Sequence, residues 1–178
     1  TLLANIEFIG ELQAVMERGG EGIGLYRTEF LYMNRIAFPT ENEHFRSYKT
    51  LAEQVAPYSA TIRTLDLGGD KFISQLGVYD ELNPVLGLRA IRLCLDHVDL
   101  FKTQLRAILQ ASHYGKLKIM YPMISGLSEL RKANAVLEEV KEELRTNEIP
   151  FDENLPVGIM MEIPSAAMTA DILARESD

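Results

Sequence analysis

Apolar and polar positions follow two alternating periods along this chain. Short apolar runs at residues 2–6, 23–26, 61–65, 117–120 and 157–161 have the length and composition of strands. Between them, apolar residues recur every third or fourth position over about 10–18, 41–55, 86–95, 100–111, 127–145 and 165–174, which predicts helices. Gly19-Gly20 ends the first of these. In the second, Phe45, Tyr48, Leu51 and Val55 share a face, and Thr40 and Glu43 have capping-box spacing at its start. In the fifth, Leu130, Ala133, Leu137, Val140 and Leu144 form the buried stripe, and positions 138–145 carry mixed charge toward solvent. The run at 157–161 is nearly all apolar, which predicts a strand buried on both faces.

The pattern amounts to five β/α units, and such alternation implies a parallel sheet, either doubly wound or closed as a barrel. A (β/α)8 barrel takes about 250 residues, so in that architecture five units would be a barrel without its last three. In both architectures the working side chains collect at the carboxyl ends of the strands. Arg27, Arg63 and Glu162 stand at those positions. The connection over 68–83 is long and contains Gly68-Gly69, with Asn83-Pro84 at its end, as functional loops often do.

Composition narrows the reading. The 178 residues are 47% hydrophobic, enough for one sizeable core, and no linker or charge block divides them. The net charge of -8 and the lack of a basic stripe argue against a nucleic-acid partner. No run of about 18 apolar residues is present to span a membrane, and no basic segment opens a signal peptide. A single cysteine, Cys94, excludes an internal disulfide and fits a reducing, cytoplasmic compartment. Thr1 in place of an initiator Met, and an end just after a helical run, read as a piece of a longer protein.

The candidate chemistry lies in two strings, Gly24-Leu25-Tyr26-Arg27-Thr28-Glu29-Phe30 and Thr61-Ile62-Arg63-Thr64-Leu65-Asp66-Leu67-Gly68-Gly69-Asp70-Lys71. Each ends an apolar run on Arg and follows it with Thr and an acid. Paired guanidinium groups at one end of a sheet suit a compact anion, a phosphate or a carboxylate. Lys71 and Arg89 add positive charge nearby. The plainer alternative is that each Arg pairs with an acid such as Glu29 or Asp66 and braces the sheet. Glu162 has two readings as well. One is a ligand to Mg2+, which takes one or two carboxylates together with phosphate oxygens. The other is a salt bridge to the Arg cluster.

Asn83-Pro84-Val85-Leu86-Gly87-Leu88-Arg89-Ala90-Ile91-Arg92 opens a helix whose first amides favour an anion, with Arg89 near the first turn and Arg92 in a structural place. His44, His97 and His113 lie in or beside helices, which predicts surface or helix-end roles. Cys94 reads as a small buried hydrophobe, and the methionines, among them Met120, Met123, Met160 and Met161, read as core. No Walker motif or GxGxxG fingerprint is present.

Residues 2–6, 24–30, 63–71, 83–92, 118–123 and 158–167 resemble the phosphoenolpyruvate-binding domain of the Enzyme I family, the phosphoenolpyruvate–protein phosphotransferases of the bacterial sugar phosphotransferase system. The likeness covers essentially the whole chain. Pyruvate, phosphate dikinases and phosphoenolpyruvate synthases are related, but look different over 67–71. A non-catalytic regulatory or oligomerisation module derived from the same domain is a further alternative.

The resemblance implies a phosphoenolpyruvate-binding (β/α)8 TIM barrel, present here as its first five units, with residues 1–178 ending before the sixth strand. It implies that Arg27 and Arg63 bind the phosphate of phosphoenolpyruvate, that Lys71 and Arg89 line the pocket, and that Glu162 is one Mg2+ ligand. The phosphoryl group would pass to a histidine on an N-terminal domain and then to the phosphocarrier protein, in a homodimeric parent. The family's second metal ligand, a neighbouring Asn, a further substrate-binding Arg and the cysteine that handles the enolate proton would all follow Asp178. No catalytic residue is therefore expected in this chain. Alone it should be inactive, bind phosphoenolpyruvate weakly, and self-associate through its open sheet edges.

Overall fold

The computed structural model describes residues 1–33, 37–67 and 87–178. Its strands are β1 (Ala4–Ile6), β2 (Gly22–Arg27), β3 (Ser59–Arg63), β4 (Lys116–Tyr121) and β5 (Val157–Ile159). The helices are α1 (Leu12–Glu17), α2 (Glu41–Val55), α3 (Ala90–Asp96), α4 (Val98–Ser112), α5 (Leu127–Thr146), α6 (Pro164–Met168) and α7 (Ala170–Leu173). Single 3-10 turns, Ile9–Glu11 and Thr28–Leu31, precede α1 and follow β2.

The strands form one sheet in the order β1-β2-β3-β4-β5, and every neighbouring pair is parallel. A doubly wound sheet needs its strand order to reverse at a switch point, so that helices reach both faces. Sequential order with right-handed crossovers keeps the helices on one face. The architecture is therefore that of part of a (β/α) barrel, and the doubly wound alternative does not apply.

Burial follows from this. On β3, Ala60 and Ile62 are buried beneath the helices, and Thr61 and Arg63 on the opposite face are half-buried. On β4, Leu117, Ile119 and Tyr121 are buried, whereas Lys116 and Lys118 are exposed. The helical layer is held together by α2 against α4 and α4 against α5. Tyr48, Leu51, Phe101 and Leu105 are wholly buried within it.

The helix at α2 starts at a capping box in which the Thr40 side chain accepts from the Glu43 amide and Glu43 accepts in return from the Thr40 amide. Each member satisfies a donor the helix would otherwise leave open. All five residues of the α5 stripe are buried as expected.

Several expectations are corrected. The strand at 157–161 is shorter and is not buried on both faces: β5 is half-buried throughout, and Met161 and Glu162 are exposed. It is the last strand in the order and, among the described residues, pairs only with β4. The third strand starts at Ser59, because Ser59 pairs with both Gly22 and Lys116. The last helix breaks at Thr169, with φ −119° and ψ 23°. Lys141 is buried, not solvated, with its ammonium 3.0 Å from Glu138. Met161 and Met168 are not core; Met168 is 84% exposed on α6. The connection over 68–83 and the helix opening at Asn83 and Pro84 lie outside the described residues. Among the described residues no helix is long and apolar enough to cross a membrane.

Candidate active site at the strand ends

β2 and β3 both end on arginine, and Arg27 and Arg63 are register partners across the two strands. Partners in a parallel ladder project from the same face. Both guanidinium groups therefore leave the carboxyl end of the sheet on the face that the helices do not cover.

Each arginine meets an acid. Arg27 donates from Nη1 to Glu7 Oε1 at 2.6 Å, at a half-exposed position. The Arg63 side chain is only 12% exposed and lies between two carboxylates. Its Nη2 bonds Glu29, and its Nη1 lies 2.9 Å from Asp66 Oδ2 and 3.7 Å from the Met160 sulfur. Asp66 is shared, because Arg89 Nη2 donates to its Oδ1 at 3.0 Å. The contacts of the plainer reading thus exist, and they coexist with the cation cluster: three arginines gather at one edge in a chain of net charge -8.

The pairing leaves loose ends. Glu29 Oε2 and Arg63 Nε are buried without a hydrogen-bond partner among the described residues. Burial pushes the Glu29 carboxyl above its usual range, against the opposing pull of Arg63. Of the two, Arg63 Nε–H is a buried donor without an acceptor, and an anion entering the cluster would supply one, whereas the Glu29 oxygen calls for a donor.

Glu162 reaches back across the sheet. Its Oε1 accepts from the Met123 amide at 2.7 Å. Met123, just after β4, takes a left-handed conformation with φ 59°, a conformation that costs a non-glycine residue about 1–2 kcal/mol. Among the described residues Glu162 makes no ion pair with the arginines, so the salt-bridge alternative is not realised there. Nor do the described residues contain a group of three or more His, Cys, Asp or Glu that could cage a metal. A single carboxylate fits Mg2+ only where phosphate oxygens and water complete the shell, which is how Mg2+ is commonly held.

The remaining candidates separate. Lys71 lies outside the described residues. Arg92 pairs with Glu129 at 3.3 Å, a bracing contact between α3 and α5. His97 and His113 flank α4 as its end residues. His44 departs from the expected surface role: it is fully buried on α2, with Nδ1 2.9 Å from the Tyr48 hydroxyl. Burial raises the Cys94 thiol to about 12, which leaves it inert at neutral pH. One residue was not marked by any motif. Gln104, completely buried on α4, bonds the ends of both arginine strands. The signal available was an amide within an otherwise apolar stripe.

The family profile described as "PEP-utilising enzyme, PEP-binding domain" matches residues 1–178. The chain belongs to this family. Among curated relatives, the phosphoenolpyruvate-protein phosphotransferase of Priestia megaterium is 52% identical over 177 residues. Those of Staphylococcus aureus and Geobacillus stearothermophilus are 50% and 52% identical over the same length. Each alignment takes in 99% of this chain but 31% of the relative, so the chain spans about a third of the length of the proteins it matches. Within a family named for binding phosphoenolpyruvate, an arginine cluster at the strand ends is chemically apt, since that ligand carries both a phosphate and a carboxylate.

Proposed function

We propose that this chain forms the phosphate-facing part of a phosphoenolpyruvate site, within a protein that acts as its relatives are named, a phosphoenolpyruvate-protein phosphotransferase. The observation that carries the reading is the register pairing of Arg27 with Arg63 at the carboxyl end of a parallel sheet. In this reading residues 1–178 are the first five units of a (β/α)8 barrel, and the rest of the site follows Asp178.

Arg27 and Arg63 hold the phosphate, and Lys71 and Arg89 line the same pocket. Glu29 and Asp66 keep the Arg63 guanidinium in place before the substrate arrives, so little ordering is left to do at the moment of binding. Glu162, fixed by the Met123 amide, is the residue here that would hold Mg2+. When bound, that ion supplies Lewis-acid neutralisation of charge on the phosphoryl oxygens. The reaction breaks the P–O bond to the enol oxygen and forms a P–N bond to a histidine on another domain. The enolate leaves and takes up a proton to give pyruvate. The arginines contribute positioning and charge stabilisation, the main needs of phosphoryl transfer. The histidine then passes the group to a phosphocarrier protein for sugar uptake, in a cytoplasmic, homodimeric enzyme. This chain alone is inactive and binds the substrate weakly.

The test is calorimetry with phosphoenolpyruvate and Mg2+, alongside phosphoryl transfer, on the full-length protein and on this chain. The full-length protein should transfer, and Arg27→Met or Arg63→Met should reduce kcat/KM by about a hundredfold, as loss of a transition-state charge contact does. Unchanged kcat/KM in both variants would remove the arginines from the site. Micromolar affinity and turnover by the 178-residue chain alone would refute its dependence on residues beyond it.

A further inference from the structure

Gln104 links, through side-chain hydrogen bonds alone, the two strand ends that carry Arg27 and Arg63. Its Oε1 accepts from the Leu65 amide at 3.0 Å, two residues past Arg63. Its Nε2 donates to Thr28 Oγ1 at 3.1 Å, one residue past Arg27, and to the Tyr48 hydroxyl at 3.1 Å. Thr28 Oγ1 in turn donates to the Arg63 carbonyl at 2.9 Å. Gln104, Thr28 and Tyr48 are each fully buried.

The Arg27–Arg63 pair is the last rung of the β2–β3 ladder, because the chain turns into a 3-10 helix at Thr28. From that point no backbone ladder sets the distance between the two strand ends. The Gln104 amide takes over with one acceptor and two donors, all engaged. Glutamate could not donate, and a hydrocarbon of the same shape would leave the Leu65 amide and the Thr28 hydroxyl short of partners in a dry environment.

We propose that Gln104 is a positioning residue that sets the spacing of the Arg27 and Arg63 guanidinium groups for the anion they hold. The catalytic consequence rests on the phosphoenolpyruvate site proposed above. The geometric consequence does not.

The experiment uses the full-length protein with Gln104→Met, Thr28→Val, the double variant, and Leu144→Ala as a stability control. Leu144 is buried near the carboxyl end of α5, which runs back toward the amino end of the sheet, away from the site. Two readouts are taken: the Nε–Hε signals of Arg27 and Arg63 in arginine-labelled protein, and kcat/KM for phosphoenolpyruvate. In both single variants the two arginine signals should move and kcat/KM should fall about tenfold. The double variant should be no worse than either single one, because both cut the same chain of bonds. Leu144→Ala should lower the melting temperature while leaving the signals in place and kcat/KM within about twofold.

Arginine signals that stay put in Gln104→Met and Thr28→Val overturn the proposal, as do losses that multiply in the double variant or that match those of Leu144→Ala. If Gln104→Met does not fold, Gln104→Glu decides in its place, since it keeps the acceptor for the Leu65 amide but loses the donors to Thr28 and Tyr48: shifted arginine signals support the proposal and unmoved ones overturn it. If the wild-type protein does not use phosphoenolpyruvate, the functional reading fails, and the positioning role stands or falls on the arginine signals.

Discussion

Arg63 and Glu29 form an ion pair that is almost wholly shielded from water, with about a tenth of each side chain exposed. The pair sits at the end of β3, where Asp66 supplies a second carboxylate and Arg27 stands one strand away in register. Charges held in this way are organised around each other before any ligand arrives. The arrangement is costly unless every member keeps its partner.

Removing Arg63 should therefore be worse for folding than removing the pair. Arg63→Met leaves the Glu29 carboxylate buried and unpaired and should cost about 3 kcal/mol. Glu29→Gln in the same chain should return more than about 1 kcal/mol of that loss. Urea unfolding of the two variants beside wild type makes the comparison, and a double variant no more stable than Arg63→Met would show that Glu29 is not the group left stranded.

The same carboxylate makes a pH prediction of unusual sign. Burial raises the Glu29 pKa above its ordinary 4.5 in the folded protein. The folded state thus binds a proton more tightly than the unfolded state. The stability tied to that proton is fully present below about pH 4.5 and is lost as pH rises through the raised folded value. Paired surface acids such as Glu143, held low first by its bond to Lys102, behave oppositely and lose their contribution as pH falls. In Glu29→Gln the first component disappears. The stability of wild type relative to this variant should decline as pH rises above about 4.5, and a flat difference would refute the assignment.

Cys94 gives a probe of opening. Its thiol is buried in α3 and raised to about 12, with burial as the main cause. Reaction with a thiol reagent at pH 8 should follow the unfolding rate and accelerate with urea. Fast, urea-independent labelling would mean that α3 opens locally without global unfolding.

Glu162 makes a prediction about metal demand. Glu162→Gln keeps an acceptor for the Met123 amide but removes the charge, so folding should be nearly unaffected. In the full-length protein the Mg2+ concentration for half-maximal activity should rise about tenfold, the scale of losing a carboxylate from a sparse oxygen shell. An unchanged Mg2+ requirement would take Glu162 out of the metal site.

The edges carry a prediction for the chain in isolation. Among the described residues β1 and β5 each pair on one side only. Leu2 and Leu3 are exposed beside β1, and Met161 and Met168 after β5. Light scattering should give a mass that grows with concentration above the 20.1 kDa of one chain. A constant monomer mass would contradict this.

Much of the fold was legible in periodicity. The bounds of α2 and the buried stripe of α5 follow directly from apolar spacing, because a helix must turn one face to the core whatever lies opposite. The arginines at the strand ends and the inert Cys94 were readable for the same local reason: each is set by its immediate sequence. Strand order is a different matter. Five apolar runs are equally compatible with a doubly wound sheet and a barrel, and only the β1-to-β5 sequence of pairing separates them. The half-exposure of β5 also follows from its place in that order, which its own composition does not encode.

Contacts between distant segments were decided by the tertiary structure alone. Local sequence could nominate Glu29 and Asp66 as acids near Arg63, but not that Arg63 would bond both while Arg27 went to Glu7. Nor could it reveal that Gln104, 76 residues from Thr28, closes the gap between the strand ends. Sequence by itself determined which residue types stand at the ends of the strands, since strand length and polarity are local properties. Which of those side chains meet was left to packing, because a buried hydrogen bond depends on elements brought together from opposite ends of the chain.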